Sequence, residues 1–467
     1  MSGKESAERA GAGREAVIGA LAQRYHNRFS TGQAIREQHG HTASWHKNQP
    51  PDGVFFAETT EEVSEVVKLC AANDVPVIPF GVGSSLEGHV NAPMGGISID
   101  LGRMDRLIEV NEGDLDCRVE AGMTRKKLNE QLRDTGLFFP IDPGADASIG
   151  GMAATRASGT NAVRYGTMRD NVLGLTVVTA DGRIIRTGSR ARKSSAGYDL
   201  TRLMVGSEGT LGIMTEIALK LSGIPEAISG GVCPFPDVRS ACDAVILTIQ
   251  CGIPVARIEL MDEVQVAACN AYSKLDLPVT PLLFLEFHGT EASVREQSEL
   301  FSGIATDCGG GEFRWEVEPE KRNKLWQARH DAYWAAVQMR PGTQGLATDV
   351  CVPISNLAEC VASTRAEIDR LGIPAPIVGH VGDGNFHVLA QVDTNDPTEV
   401  EKAEKFLAWL VDLALSMDGT CTGEHGIGQG KMKYMKAEHG EGLDLMRSIK
   451  DALDPQGILN PGKVLPA

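Results

Sequence analysis

The stretch Gly81-Val-Gly-Ser-Ser-Leu-Glu-Gly88 follows an alternation of elements that governs the fold of the first half of the chain. Val54 to Ala57 predicts a strand, and Val75 to Phe80 predicts a second one. Between them, the capping box Thr59-x-x-Glu62 precedes apolar residues at helical spacing. The pattern therefore predicts a β-α-β unit that ends in a loop rich in glycine and serine, whose N–H groups could bind a phosphate.

Two familiar phosphate motifs do not fit this loop. A dinucleotide-binding Rossmann fingerprint needs glycine at position 86, which is leucine, and a P-loop that begins at Gly83 needs lysine at position 89, which is histidine. A plain tight turn is the other interpretation of such a glycine loop. The loop alone therefore indicates a ligand site without identifying the ligand.

Three further glycine-rich stretches favour a ligand over a plain turn. They are Asp142 to Gly151, Ala157 to Gly166 and Val205 to Gly212. Glycine lets the backbone approach a ligand closely, so several such loops could line one long dinucleotide. None contains Gly-x-Ser-x-Gly, so the sequence gives no support to a serine hydrolase.

A metal site is indicated in the second half of the chain by His380-Val-Gly-Asp-Gly-Asn-Phe-His387. Asp383-Gly384 favours a two-residue type I′ hairpin turn. Such a turn pairs His380 with His387, with Cβ atoms about 4.5–5.5 Å apart. Glu424 then completes a triad of protein ligands for zinc or manganese, and His425 is placed to act as a base. Paired histidines at the neck of a hairpin can also be ordinary cross-strand neighbours.

Composition limits what surrounds these motifs. The chain of 467 residues is long enough for two or three domains, and its formal net charge of −17 argues against nucleic acid or an anionic membrane as the main partner. No apolar run is long enough to span a membrane, and the start lacks a signal-peptide pattern. The ten cysteines include no Cys-x-x-Cys, which indicates reduced thiols. These features lead us to expect a cytoplasmic protein, or one peripheral to the inner membrane.

The motifs together resemble the vanillyl-alcohol oxidase (PCMH-type) flavoprotein superfamily. The resemblance lies in Pro79 to His89, the Pro143-Gly loop, Ala157 to Gly166 and Gly209 to Ile213. The metal stretch, Gly423 to Gly428 and Asn460-Pro-Gly-Lys463 are similar to its D-2-hydroxy-acid dehydrogenase branch, and most closely to the FAD-linked D-lactate dehydrogenases. The resemblance covers roughly residues 50 to 465.

The resemblance implies an α+β fold in which a two-subdomain FAD-binding domain is joined to a mainly antiparallel α+β cap domain. We expect an N-terminal helical segment over 1–50, the FAD domain over 51–221, the cap over 222–420 and a return segment over 421–467. In the cap, helical patterns at 238–250, 291–307, 320–339 and 357–371 alternate with strand patterns at 257–261, 282–287 and 346–352.

The resemblance also implies the residues around FAD. It places Pro79, Gly81, Val82, Gly83, Ser84 and Ser85 at the pyrophosphate, and it places Pro143, Gly144, Ser148, Gly151, Gly159, Asn161, Tyr165 and Gly166 around the cofactor. It places Glu208, Gly209 and Ile213 towards the adenine, and Asn460 near the flavin. The first loop lacks a histidine within its glycine run, so we expect non-covalent FAD.

The resemblance finally implies a reaction. Arg329 lies on the same face of a predicted helix as Trp326 and Tyr333. The matching helix of the family supplies an arginine to the substrate carboxylate. We expect a short D-2-hydroxy acid, D-lactate above all, to lose its hydroxyl proton to His425 and a hydride to FAD. D-2-hydroxyglutarate and glycolate remain alternatives within the family.

Partners and other classes of protein complete the expectations. The reduced flavin needs an acceptor, which could be a cytochrome, a quinone or an electron-transfer flavoprotein, and a homodimer is left open. A metal-dependent hydrolase could use the same histidines but has no need of four glycine-rich loops. A non-catalytic nucleotide-binding module has no need of Glu424 and His425.

Overall fold

The computed structural model describes residues 3–42 and 44–466. Its α-helices are α1 Gly3–Tyr25, α2 Gln33–Gln38, α3 Thr60–Ala71, α4 Arg125–Leu132, α5 Ile149–Thr155, α6 Ala162–Tyr165, α7 Met168–Asn171, α8 Leu200–Met204, α9 Val238–Gln250, α10 Glu263–Ser273, α11 Glu291–Asp307, α12 Pro319–Gln338, α13 Leu357–Leu371, α14 Pro397–Ser416, α15 Met435–His439 and α16 Gly442–Leu453.

The strands of the described residues are β1 Phe29–Ser30, β2 Gly53–Phe56, β3 Val77–Phe80, β4 Ile97–Asp100, β5 Leu107–Asn111, β6 Asp116–Glu120, β7 Leu137–Phe138, β8 Val172–Val178, β9 Ile184–Arg186, β10 Ile213–Lys220, β11 Ser222–Gly223, β12 Ala227–Pro234, β13 Val255–Met261, β14 Leu282–Gly289, β15 Arg314–Glu316, β16 Gln344–Ala347, β17 Val350–Cys351, β18 Ile377–Gly379 and β19 Asn385–Val392. The fold is α+β, as the sequence predicted.

The chain divides into two compact units. The first comprises Met1–Ser158, Thr167–Gly223 and Glu424–Ala467, and the second comprises Gly159–Gly166 and Ile224–Gly423. The sequence placed the main boundaries at 221/222 and 420/421, and it gave no sign that the short segment Gly159–Gly166 belongs with the second unit.

The first unit contains two main sheets. One has the strand order β1-β2-β4-β3, in which β2 and β3 both run parallel to β4, as the predicted β-α-β unit requires. The other is antiparallel with the order β5-β6-β10-β8-β9. Helix α3 begins where the side chain of Thr59 accepts a hydrogen bond from the N–H of Glu62. Its apolar face, with Val63 and Val67 fully buried, joins a continuous core beneath both sheets.

The N-terminal segment is more regular than its composition suggests. Val17, Leu21 and Tyr25 recur at helical spacing and are buried, but the helix that carries them already begins at Gly3. The apolar spacing therefore identified only the part of the helix that packs against the core.

The second unit is an antiparallel sheet with the order β15-β12-β14-β13-β18-β19-β16. One face is apolar and lies under α9 and α11; Phe287 of β14, for example, packs on Phe301 of α11 with ring centroids 6.4 Å apart. The opposite face is covered in part by α12, where Trp326 packs on Phe284. The rest of that face carries charged side chains, which make it a candidate functional surface.

The structure differs from the predicted cap at one strand that matters for the site. The pattern at 346–352 predicted a single strand, whereas β16 and β17 are separated at Thr348 and Asp349. The hydroxyl of Thr348 accepts a hydrogen bond from the N–H of Val388, and the carboxylate of Asp349 accepts from the side chains of Asn385 and Thr422. In the described part of the chain, no helix combines the length and apolar character that crossing a bilayer requires.

Candidate functional site

Three of the four glycine-rich stretches come together in the first unit. A Cβ atom added to Gly81 would lie 2.2 Å from Oγ of Ser148, so the first and second stretches touch there. The fourth stretch meets the first at Gly209, where an added Cβ would lie 2.3 Å from Cγ of Pro79. These glycines are required because backbone and side chains of other loops occupy the space of a side chain.

Two hydroxyls in these loops fit a bound cofactor. Oγ of Ser85 and Oγ of Ser148 are both shielded from solvent and have no hydrogen-bond partner among the described residues. A buried polar atom without a partner is costly, so it points to a group that binds there. Ser85 lies in the loop expected at the pyrophosphate, and Ser148 lies in a loop expected around the cofactor. Both hydroxyls could donate hydrogen bonds to FAD. The residues present therefore fit FAD.

Other residues expected at the cofactor have different positions. Gly159, Asn161, Tyr165 and Gly166 belong to the second unit. There, Oδ1 of Asn161 accepts from Nε of Arg257 at 2.8 Å, and the hydroxyl of Tyr165 lies 2.7 Å from Nδ1 of His288. Pro143, Gly144 and Gly151 lie in the second stretch, and Ile213 begins β10 with its side chain in the core.

Glu208 is buried and bound to protein groups. Its carboxylate accepts hydrogen bonds from the N–H groups of Ile427 and Gly428 at 2.7 and 2.8 Å and lies 3.1 Å from Nε2 of His89. Burial raises the pKa of Glu208, but His89 and the two N–H groups outweigh it and bring the pKa below its ordinary value. Asn460 in turn donates to the carbonyl oxygens of Glu208 and His89.

The two histidines of the predicted metal site are close, but the hairpin that joins them is not the one predicted. His387 pairs with Val378, not with His380, and the five residues 380–384 connect strands β18 and β19. Val381–Asp383 form a 3₁₀ turn that ends at Gly384 with a φ of 80°. His380 and Val381, which a two-residue type I′ turn would have paired across the hairpin, therefore lie in the connection and not in a strand. The imidazole centroids are nevertheless 5.4 Å apart, with perpendicular rings.

His380 and Arg329 share one buried carboxylate. Nδ1 of His380 lies 2.8 Å from Oε1 of Glu259, and Nε of Arg329 donates to Oε2 at 2.8 Å. The side chain of Glu259 is 0 % exposed. Burial raises its pKa, but the nearby His380 and Arg329 outweigh this and bring the pKa of Glu259 below its ordinary range.

His387 is held by the break between β16 and β17. Its Nδ1 lies 3.0 Å from the carbonyl oxygen of Thr348 and 3.6 Å from Oδ1 of Asp349. Asp349 also accepts from the hydroxyl of Thr422, and its carbonyl oxygen accepts from the N–H of Gly423. Asp349 therefore fixes the end of the second unit, directly before Glu424 and His425 in the chain.

The Nδ1 contacts of both histidines match the pattern of metal-ligating imidazoles. Such ligands usually donate their second ring N–H to a carboxylate or a backbone carbonyl, which puts the lone pair for the metal on Nε2. For His380 the acceptor is Glu259, and for His387 it is Thr348. The residues present therefore fit a divalent metal.

Sequence reasoning missed Glu259 and Asp349. Glu259 lies in the stretch Val255-Ala-Arg-Ile-Glu-Leu-Met261, where alternation puts Arg257 and Glu259 on one face of an otherwise apolar strand. Two charged residues on one face of a buried strand are the signal that could have identified Glu259. Asp349 lies inside an apolar run, and no spacing links it to His387.

Comparison with known families identifies both halves of the chain. Residues 51–188 match the model described as "FAD binding domain", and residues 224–464 match "FAD linked oxidases, C-terminal domain". The chain is 52% identical to a probable mitochondrial D-lactate dehydrogenase of Danio rerio, over 93% of this chain and 88% of the relative. It is 49% identical to a mitochondrial D-lactate dehydrogenase (cytochrome) of Arabidopsis thaliana, over 89% and 74%. A glycolate oxidase subunit of Bacillus subtilis is 33% identical over 93% of each chain.

Solved structures share the fold. p-Cresol methylhydroxylase has a TM-score of 0.79 at 18% identity and covers 99% of this chain and 97% of its own. A 4-ethylphenol oxidase from Gulosibacter chungangensis has a TM-score of 0.77 at 19% identity and covers 97% of each. At such identities the likeness concerns the fold alone, and it agrees with the PCMH-type fold predicted from the sequence.

The relatives overturn one expectation. The sequence led us to expect a cytoplasmic protein, because it contains neither a signal-peptide pattern nor an apolar span. Four relatives at 38–52% identity carry names that place them in mitochondria. The expected location is therefore wrong: composition and the lack of a span carry no information that separates one aqueous compartment from another.

Proposed function

This chain belongs to the family of FAD-linked oxidases, and we propose that it oxidises D-lactate to pyruvate with the help of a divalent metal. The observation that carries the proposal is the shared carboxylate of Glu259. It contacts His380, whose Nδ1 contact is that of a metal-ligating imidazole, and it accepts a hydrogen bond from Arg329. A 2-hydroxy acid presents a hydroxyl and a carboxylate on adjacent carbons, and such a pair of groups matches it. The names of the relatives support D-lactate as the acid.

The arginine supplies recognition of the substrate carboxylate. Glu259 uses only Nε of Arg329, so the guanidinium keeps a fixed direction and its two terminal NH₂ groups can bind a carboxylate. Helix α12 carries Arg329 on the face that packs on the sheet, since Trp326, one turn earlier, is buried against Phe284. This packing keeps the side chain of Arg329 directed towards the proposed substrate site and away from bulk solvent.

His380, His387 and Glu424 are the proposed metal ligands, and His425 is the proposed base. When bound, the metal would lower the pKa of the substrate hydroxyl, and FAD would take the hydride from Cα. His425 removes the hydroxyl proton, so the C–O bond becomes the carbonyl of the 2-oxo acid as the C–H bond breaks. Zinc and manganese both accept this set of imidazole and carboxylate ligands.

The first unit would hold FAD without a covalent bond. Ser85 and Ser148 supply hydroxyls to the cofactor, and the loop that contains Ser85 has no histidine within its glycine run. Electrons from the reduced flavin would pass to a cytochrome-type acceptor, in line with the names of three of the relatives.

The chirality of the substrate gives a direct test of this function. The purified yellow protein is mixed without oxygen with D-lactate, L-lactate or glycolate, and the rate at which flavin absorbance disappears is compared. We expect D-lactate to reduce the flavin fastest. Equal rates with L-lactate, or a flavin that none of the three reduces, would contradict the proposal.

A further inference from the structure

The carboxylate of Glu208 forms a clamp on the segment that directly follows His425. Its two oxygens accept from two consecutive main-chain N–H groups, those of Ile427 and Gly428, at 2.7 and 2.8 Å. The two N–H groups belong to a segment 219 and 220 residues further along the chain. Both oxygens of the carboxylate thus contact protein groups, namely the two N–H groups and, at 3.1 Å, Nε2 of His89.

The packing around the clamp leaves the segment no alternative position. Gly426 adopts a φ of 81°, and a Cβ atom added there would lie 2.7 Å from Oε1 of Glu208 and 2.8 Å from Nε2 of His89. On the other side, the N–H of Gln429 donates to the carbonyl oxygen of Glu87 at 2.7 Å. Residues 426–429 are therefore fixed from two directions.

The backbone of Glu208 is itself in an unfavourable conformation. Its φ is 53°, in the left-handed region where glycine is the usual residue, and the next residue is Gly209 at 73°. Such a conformation persists when the surrounding structure imposes it, often at functional sites. Its N–H donates to the carbonyl of Ala154, and its carbonyl accepts from Asn460. Glutamate occupies this position although glycine would fit the backbone conformation better. This favours a structural role for its carboxylate.

We infer that Glu208 is a positioning residue for His425, and not a ligand of FAD as the family resemblance implied. This inference rests on the proposed function, in which His425 removes the proton of the substrate hydroxyl. The clamp fixes the backbone two and three residues after His425, so it limits where the imidazole can stand. A base displaced by about 1 Å costs on the order of 10²-fold in rate.

The first experiment replaces Glu208 and measures three quantities. In Glu208→Gln, one N–H of the segment faces an amide NH₂ instead of a carboxylate oxygen, so the clamp loses one of its bonds. We expect the protein to keep its full FAD content, kcat for D-lactate to fall on the order of 10²-fold, and KM to change little. Glu216→Gln in β10 is the matched control, because its carboxylate contacts Thr176 and Arg118 and is remote in sequence from the base.

A double mutant separates positioning from a general loss of structure. If Glu208 acts through His425, then adding Glu208→Gln to His425→Ala should slow the reaction little beyond His425→Ala alone. Losses that multiply would overturn the inference, as would a Glu208→Gln protein that turns over at the wild-type rate or purifies without FAD. A His425→Ala protein at the wild-type rate would instead refute the base assigned in the proposed function.

A second variant reaches the same clamp without altering Glu208. Gly426→Ala adds a Cβ atom that clashes with the carboxylate of Glu208 and with His89. It also strains the backbone, because φ is positive at this position. If Glu208→Gln does not yield folded protein, Gly426→Ala should show the same pattern, with FAD retained, kcat reduced and KM little changed. Wild-type kcat in Gly426→Ala would overturn the inference.

Discussion

Glu208 in the first unit and Glu259 in the second are both buried carboxylates with a lowered pKa, but they hold different things. Glu208 binds main-chain N–H groups and so fixes the course of a glycine-rich segment. Glu259 binds the side chains of Arg329 and His380 and so fixes the direction of two functional groups. The comparison teaches that one residue type can organise a site through the backbone or through side chains. The two kinds of variant should therefore fail differently.

The largest expected effect concerns the two histidines proposed as metal ligands, of which His380 contacts Glu259. Replacing His380 or His387 with alanine removes a metal ligand, so we expect turnover and bound metal to be lost. FAD should remain, because three of the four glycine-rich stretches expected to hold it are in the first unit. Metal analysis and the flavin spectrum of the same preparation check both statements, and His425→Ala is the matched control that should keep its metal. Full metal content in His380→Ala would show that the site lies elsewhere.

Substrate size tests whether the charges on the Glu259 face are already balanced. Arg329 pairs with Glu259, and Arg257 lies 3.6 Å from Glu286 on the neighbouring strand. Leu389 shares the face of His387 two residues along β19 and is buried, so it forms an apolar wall. A second carboxylate against this wall would cost several kcal/mol, which excludes a diacid by a large factor.

The measurement is kcat/KM for D-lactate against D-2-hydroxyglutarate. We expect D-lactate to be preferred strongly. Arg340, a further arginine between Arg329 and Val388, donates through both terminal nitrogens to Glu399 at 2.7 and 2.8 Å. Arg340→Ala should therefore leave the preference unchanged. Equal or better use of the diacid would show that a cation on this face is open to it.

A smaller effect is expected when Glu259 is changed but its partners remain. Glu259→Gln keeps the shape of the side chain and removes the charge, so His380 and Arg329 lose their common anchor. Loss of such an outer partner typically lowers metal affinity about 10–100-fold. We also expect KM for D-lactate to rise, because Arg329 loses its fixed direction, which contrasts with the change in kcat expected for Glu208→Gln. A metal titration of the apo protein checks the affinity, and wild-type affinity would contradict the role given to Glu259.

The sequence predicted the regular elements of the second unit well and its site incompletely. Apolar periodicity gave α9, α11 and α13 with the bounds that the structure has. It could not give the five-residue connection between β18 and β19, because a glycine-rich run is compatible with several turn types whose choice depends on packing. Nor could it give the break at Thr348 and Asp349, since both residues suit a strand end and a strand interior.

The partners of the two glutamates explain why the remainder was out of reach. Glu259 meets residues 70 and 121 positions away, and Glu208 meets residues 219 and 220 positions away. Such pairs follow from the fold and not from local spacing. The histidines were predicted from the pattern of their own glycine-rich stretch, and family resemblance suggested Arg329. The resemblance also assigned Glu208 to the cofactor, whereas in the structure its carboxylate accepts from main-chain N–H groups.

The central claim is that FAD and a metal act together on a D-2-hydroxy acid, and one anaerobic measurement tests it most directly. The purified protein is stripped of metal with a chelator, D-lactate is added without oxygen, and the absorbance of the flavin is followed before and after zinc or manganese is returned. Our account predicts that the flavin stays oxidised in the stripped protein and is reduced once metal is restored. Reduction at the same rate in metal-free and metal-loaded protein would contradict it.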